Sequence, residues 1–135
     1  MIEETYHIGE AAARAGLSLR TVRHYEDVGL VQPSGRTEGG FRLYREVDVR
    51  RLLLVRALKP TELTVEEIAE VLALRDDAGS GRLTPEREAR LHELTSAAHQ
   101  RLRIQRERLI AAELAVELLR GASPAVSESE PAAAR

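Results

Sequence analysis

The chain contains no cysteine and no tryptophan, one phenylalanine and one methionine, and only 3% of its residues are aromatic. Without thiols it can form no disulfide, thiolate metal centre, iron–sulfur cluster or thiol redox switch. No apolar run approaches the roughly eighteen residues that a membrane span needs. The opening Met1-Ile2-Glu3-Glu4 is acidic where a secretory signal would be basic. A soluble cytoplasmic protein with no membrane partner is therefore expected. The 43% hydrophobic fraction is ordinary, but it consists mostly of Leu, Ala and Val, the residues of helix packing. A mainly helical fold is predicted, and 135 residues allow one head domain plus an appendage.

Net charge is −2, which by itself argues against a polyanionic partner, but the two parts of the chain differ. Residues 1–60 carry ten Lys+Arg against eight Asp+Glu, a balance of +2, and residues 61–135 carry ten against fourteen, a balance of −4. The small positive excess lies in the first part.

Ile8, Ala11, Ala12 and Ala15 recur at helical spacing, and Gly16 follows where a left-handed residue would end the helix. Ser18 is a good N-cap for a second helix with Leu19, Val22 and Tyr25 on its inner face, closed by Gly29. On a helical wheel Arg20 and His24 fall opposite Val22, with Thr21 and Arg23 on the flanks. From Pro33 to Gly40 turn formers dominate, and Phe41-Arg42-Leu43-Tyr44 alternates with period two. This reads as a small β-hairpin wing with Phe41 and Leu43 inward and Arg42 and Tyr44 outward.

A third helix is predicted over about Glu46–Leu58, with Leu52, Val55 and Leu58 inward and Pro60 blocking its extension. Thr64-Val65-Glu66-Glu67 is a capping box that opens a fourth helix with Val65, Ile68 and Leu72 inward. Asp76–Gly81, with two aspartates and two glycines, reads as a flexible hinge. Thr84-Pro85 opens a last helix with no Gly or Pro before Gly121. Along it Leu91, Leu94, Ala98, Leu102, Gln105, Leu109, Ala112, Val116 and Leu119 are spaced 3, 4, 4, 3, 4, 3, 4, 3, a heptad seam with one stutter. Such a helix is roughly 50 Å long at about 1.5 Å per residue, more than the head can cover, so a second copy is the expected partner. Residues 76–83 are the expected hinge, 84–120 a coiled-coil dimerisation arm, and 121–135, rich in Ala, Ser, Pro and Glu, a disordered tail.

The runs Tyr6-His7-Ile8-Gly9-Glu10, Gly16-Leu17-Ser18, Arg20-Thr21-Val22-Arg23-His24-Tyr25-Glu26 and Gly29-Leu30, continued by Arg36 to Tyr44, resemble the DNA-binding domain of MerR-family transcription regulators. The resemblance covers about residues 5–75. It implies a winged helix-turn-helix over residues 1–75 and a homodimer joined by an antiparallel coiled coil. By the same resemblance, the site is a near-palindromic stretch of double-stranded promoter DNA, bent and untwisted for RNA polymerase. Carried over by position, Ser18, Arg20, Thr21, Arg23, His24 and Tyr25 are recognition-helix contacts, and Arg36, Arg42 and Tyr44 are wing contacts. Arginine can fork onto guanine or grip phosphate, which makes Arg20 the expected base reader and Arg42 and Tyr44 the phosphate clamps. His24 stands where many members have tyrosine, and Glu62-Leu63 where Gly-Phe is common. The resemblance implies no cofactor. An unknown small-molecule effector could be sensed at the base of the arm, although the short tail offers no dedicated pocket.

Two other classes compete with this reading. An enzyme would need a nucleophile–base pair, a metal constellation or a phosphate-cradling loop, and Glu38-Gly39-Gly40 and Gly79-Ser80-Gly81 lack the flanking strand and helix of such loops. His92 and His99 are about 10 Å apart along one helix, too far to share an ion within one chain. The other alternative is an architectural DNA-binding or protein-interaction module with little sequence preference, distinguished by a steep salt dependence without base discrimination.

Overall fold

The structure, a computed structural model, describes residues 3–121. The predicted tail, apart from Gly121, lies outside the described residues. The element order is β1 (Thr5–His7), α1 (Ile8–Ala15), α2 (Leu19–Asp27), β2 (Gly35–Arg36), β3 (Arg42–Arg45), α3 (Glu46–Ala57), a single 3₁₀ turn (Lys59–Thr61), α4 (Val65–Gly79) and α5 (Pro85–Gly121). The chain divides into two units, residues 1–102 and residues 103–135.

In the first unit α1 stops where Gly16 turns left-handed at φ 66°, and Ser18 then caps α2 by accepting the Thr21 N–H at 3.1 Å. Arg56 of α3 reaches under this turn and donates to the Ala15 carbonyl at 3.2 Å, satisfying one of the carbonyls a helix end leaves open. Ala11, Ala12 and Ala15 of α1, Val22 and Tyr25 of α2, and Val49, Leu52 and Val55 of α3 form one core, which Ile68 and Leu72 of α4 join. Leu19, expected inward, is exposed: it opens α2, where the first turn has not yet reached the core. At α4 the Thr64–Glu67 capping box forms in both directions, each bond 3.1 Å.

The sheet has three antiparallel strands in the order β1-β3-β2, one more than the predicted hairpin. Its register pairs Tyr6 with Tyr44 and Arg36 with Arg42. This register reverses the predicted facing of the wing. Tyr44 is fully buried and Phe41 is 68% exposed, with Leu43 and Arg42 in between. A strand's period of two fixes the alternation but not the side, and a one-residue shift moves every side chain to the other face. Here Tyr6 on β1 selects the face that carries Tyr44.

The expected hinge also differs. Helix α4 continues through Asp76 and Asp77 to Gly79, and the turn follows at Ser80 and Gly81, where φ is 70°. Asp76 and Asp77 stay helical because arginines hold them: Arg51 of α3 donates to Asp76 at 3.1 Å, while Arg82 and Arg87 pair with Asp77.

The predicted heptad seam is split. Leu94 and Ala98 are 3% and 7% exposed, buried within the first unit, where the two forks of Arg90 meet Glu70 of α4 at 2.7 and 2.9 Å. They are not part of an open seam. In the second unit, residues 103–121 are helical throughout, and Leu109, Val116 and Leu119 are exposed together with Ile110, Leu114 and Leu118. No helix among the described residues is long and apolar enough to cross a membrane.

Candidate nucleic-acid interface

Helix α2 buries Val22 and Tyr25, which leaves Arg20, Arg23 and His24 on its exposed side. Among the described residues neither Arg20 nor Arg23 has a carboxylate within ion-pair distance, so both cations are available to an anionic ligand. Ser18 and Thr21 share a hydroxyl–hydroxyl hydrogen bond of 2.8 Å at the N-terminus of the same helix. That end carries unsatisfied N–H groups and partial positive charge, both of which favour a phosphate oxygen. Five of the nine predicted DNA contacts (Ser18, Arg20, Thr21, Arg23 and His24) thus share one helix face or its leading end.

The wing sits beside this face because Glu26 fastens it there. The Glu26 side chain, 13% exposed, lies within ion-pair distance of Arg42 Nε (2.5 Å) and Arg36 (3.7 Å). The Arg42 N–H is turned off the carboxylate axis, so the contact is an ion pair rather than a hydrogen bond. The Tyr44 hydroxyl donates to the same carboxylate at 3.4 Å. Burial first, then the negative charge of Glu26, push the Tyr44 phenol up to about 12 from its ordinary 10.0. Tyr44 is therefore an internal donor and not a phosphate clamp. Tyr25, also buried, presents almost no surface to a ligand.

Arg36 and Arg42 remain on the wing with partly exposed side chains, and Arg36 also donates to the Gly40 carbonyl at 2.9 Å, bracing the wing turn. Thr37 closes that turn: its hydroxyl accepts the Phe41 N–H at 3.1 Å, and its backbone N–H donates to the Phe41 carbonyl at 2.9 Å. Two residues differ from what the sequence suggests, Glu26 in its role and Phe41 in its facing. Glu26 reads as an ordinary acidic residue near a helix C-terminus, where charge alone disfavours it, and that misfit was the available signal. Phe41, expected inside, caps the wing tip over Gly39.

A two-helix turn with an open cationic face, flanked by a three-stranded wing, defines a winged helix-turn-helix DNA-binding domain. Residues 6–74 match the family described as MerR HTH family regulatory protein, and the chain belongs to that family. It is 42% identical over 71 residues to heavy metal-dependent transcription regulator 2 of Rhizobium meliloti, a match that covers 53% of this chain and 48% of that protein. It is also 42% identical over 72 residues to the regulator ZntR of Escherichia coli, covering 53% and 51%. The chain thus spans about half the length of these curated relatives. Among solved structures, lead(II)-bound PbrR691 from Ralstonia metallidurans is similar at TM-score 0.59 and 34% identity, with 93% of each chain covered. HiNmlR, a MerR family regulator lacking the sensor domain and bound to promoter DNA, is similar at TM-score 0.66 and 27% identity, covering 88% of this chain and 93% of that one.

Proposed function

We propose that this protein is a sequence-specific transcription regulator that binds promoter DNA as a homodimer and acts by bending and untwisting the promoter for RNA polymerase. The observation that carries this reading is the exposed face of α2, where Arg20 and Arg23 stand free of carboxylate partners among the described residues, beside a wing tied down through Glu26. Arg20 is assigned to base edges in the major groove, and Arg23, Arg36 and Arg42 to phosphates. The likeness to HiNmlR, which its structure holds on promoter DNA, supports the same docking.

The second copy is assigned to the apolar surface of residues 109–119. There Leu109, Ile110, Leu114, Val116, Leu118 and Leu119 are exposed and polar groups are reduced to Glu113 and Glu117. A helix apolar around most of its circumference needs cover, and a twofold partner supplies the same surface in return. The names of the metal-dependent relatives do not carry over as thiolate metal sensing, because the 135 residues hold no cysteine.

The reading is tested by selecting bound fragments from a randomised duplex pool with the purified protein and footprinting the winner at moderate salt. A dyad-symmetric site between two promoter elements is the expected result. Binding without any enriched sequence would replace this reading with that of an architectural DNA clamp.

A further inference from the structure

Lys59 is the only lysine of the 135 residues, and every other side chain of the Lys+Arg set is an arginine. An arginine keeps its proton and its delocalised charge, so Lys59 is the one side-chain amine that can act as a nucleophile. It stands exposed in the 3₁₀ turn after α3. Together with Arg20, Thr21 and His24 of α2 it borders a cavity of about 560 Å³ that no acidic residue lines. Among the described residues neither Lys59 nor Arg20 has an ion-pair partner. The amine therefore opens on a recess whose positive charge is not neutralised from within. Such a recess gathers anions, and a guanidinium can fork onto two phosphate oxygens.

We propose that Lys59 is an acylation site whose donor is a small acyl phosphate, gathered at the amine by the cations of this cavity. In an acyl phosphate the anion is bonded to the reacting carbonyl carbon itself, so attraction of the phosphate to Arg20 brings that carbon to Lys59. A thioester carries its charge elsewhere in the molecule, and a neutral ester carries none. Lys59 Nζ, having released one proton to solvent, attacks the carbonyl carbon and a C–N bond forms. The bond from that carbon to the phosphate oxygen breaks, and its electron pair leaves with the phosphate, whose charge Arg20 balances. The nitrogen passes its second proton to the departing phosphate and is left as a neutral amide. One positive charge beside Arg20 is thereby removed, which weakens attraction for a polyanionic duplex. That consequence rests on the DNA-binding reading; the acylation site does not.

The test treats the full chain, without DNA, with acetyl phosphate as the anionic donor and with N-hydroxysuccinimidyl acetate as the neutral one. Peptide mass mapping reads the rate of acetylation at each lysine. Arg82→Lys supplies a reference amine at an exposed position whose arginine pairs with Asp77. Dividing the anionic-donor rate by the neutral-donor rate cancels the intrinsic reactivity of each amine. This ratio is expected to be at least about threefold higher at Lys59 than at the reference, and Arg20→Ala is expected to lower it at Lys59 by about threefold. No acetylation of Lys59, a ratio equal to that of the reference, or a ratio unchanged by Arg20→Ala would overturn the proposal. In a second step the acetylated chain is titrated with a fluorescent duplex and is expected to bind about threefold more weakly than the untreated chain, while Lys59→Arg, treated in parallel, keeps its affinity. Unchanged duplex affinity after acetylation of Lys59 would leave the site standing and overturn its effect on DNA, whereas no duplex binding by any form would overturn the DNA-binding reading alone.

Discussion

The hydroxyl of Tyr44 on the wing strand donates to the carboxylate of Glu26 in the last turn of the recognition helix, 3.4 Å away, beneath the Arg42 side chain that pairs with the same carboxylate. One acidic residue thereby ties the wing to α2, the proposed recognition helix. Tyr44→Phe keeps the buried ring and removes only this bond, so it is expected to cost about 1 kcal/mol and to leave DNA affinity within about twofold. Tyr44→Ala empties the site and is expected to cost about 3–5 kcal/mol. Denaturant melts and duplex titrations distinguish this inner role from that of a phosphate clamp, for which Tyr44→Phe would weaken binding without affecting stability.

The same tyrosine gives an alkaline signature. Its folded value of about 12 lies above the ordinary 10.0, so between these values the unfolded chain has released the proton and the folded chain has not. Linkage then makes stability fall as pH rises through that interval and remain unaffected below it. Urea midpoints at about pH 8 and about pH 11 should show a drop in the unmodified chain that is smaller in Tyr44→Phe. An equal drop in both would remove Tyr44 as its source.

Arg20 and Arg42 are expected to fail differently. Arg20 has no ion-pair partner among the described residues and is proposed to read bases, so Arg20→Ala should relax base preference by about 1–3 kcal/mol with no loss of stability. Arg42 is already paired with Glu26, so Arg42→Ala should weaken all duplexes alike, lower the salt slope by about one, and also loosen the wing. Competition titrations of cognate against random duplex at two salt concentrations separate these effects, and equal losses on both duplexes for Arg20→Ala would deny it base reading.

Two left-handed positions carry opposite expectations. Gly16 has φ 66°, and a Cβ there would lie 2.5 Å from Nη1 of Arg56, so Gly16→Ala should cost about 1–2 kcal/mol or more and release the Arg56 cap on α1. Glu62 has φ 57° without being glycine, so Glu62→Gly should raise stability by about 0.5–1 kcal/mol, the strain relieved exceeding the added chain entropy. Thermal melts of both variants check the signs.

Truncation should follow the burial pattern rather than the heptad pattern. A chain ending at Leu102 keeps Leu94 and Ala98 in the first unit and is expected to be a folded monomer in sedimentation. A cut before Pro85 would expose apolar surface in that unit. A chain of residues 1–102 that still sediments as a dimer would move the dimer contact away from residues 103–121.

By itself the sequence determined the helices, the caps at Gly16 and Ser18, and the cationic face of α2. Each of these is a local matter: Ser18 caps three residues ahead, Gly16 supplies its own φ, and Arg20 and His24 share a face because a helix turns by about 100° per residue. The capping box at Thr64 was legible for the same reason. Only the tertiary structure decided which side of the wing faces inward, because that choice depends on Tyr6 pairing with Tyr44 across 38 residues. It also decided that Glu26 joins helix to wing, that Asp76 and Asp77 stay helical under Arg51, Arg82 and Arg87, and that Leu94 and Ala98 are covered by their own chain. Periodicity reports that a face is apolar. What covers that face is set by the elements folded against it, and no spacing along one segment contains that information.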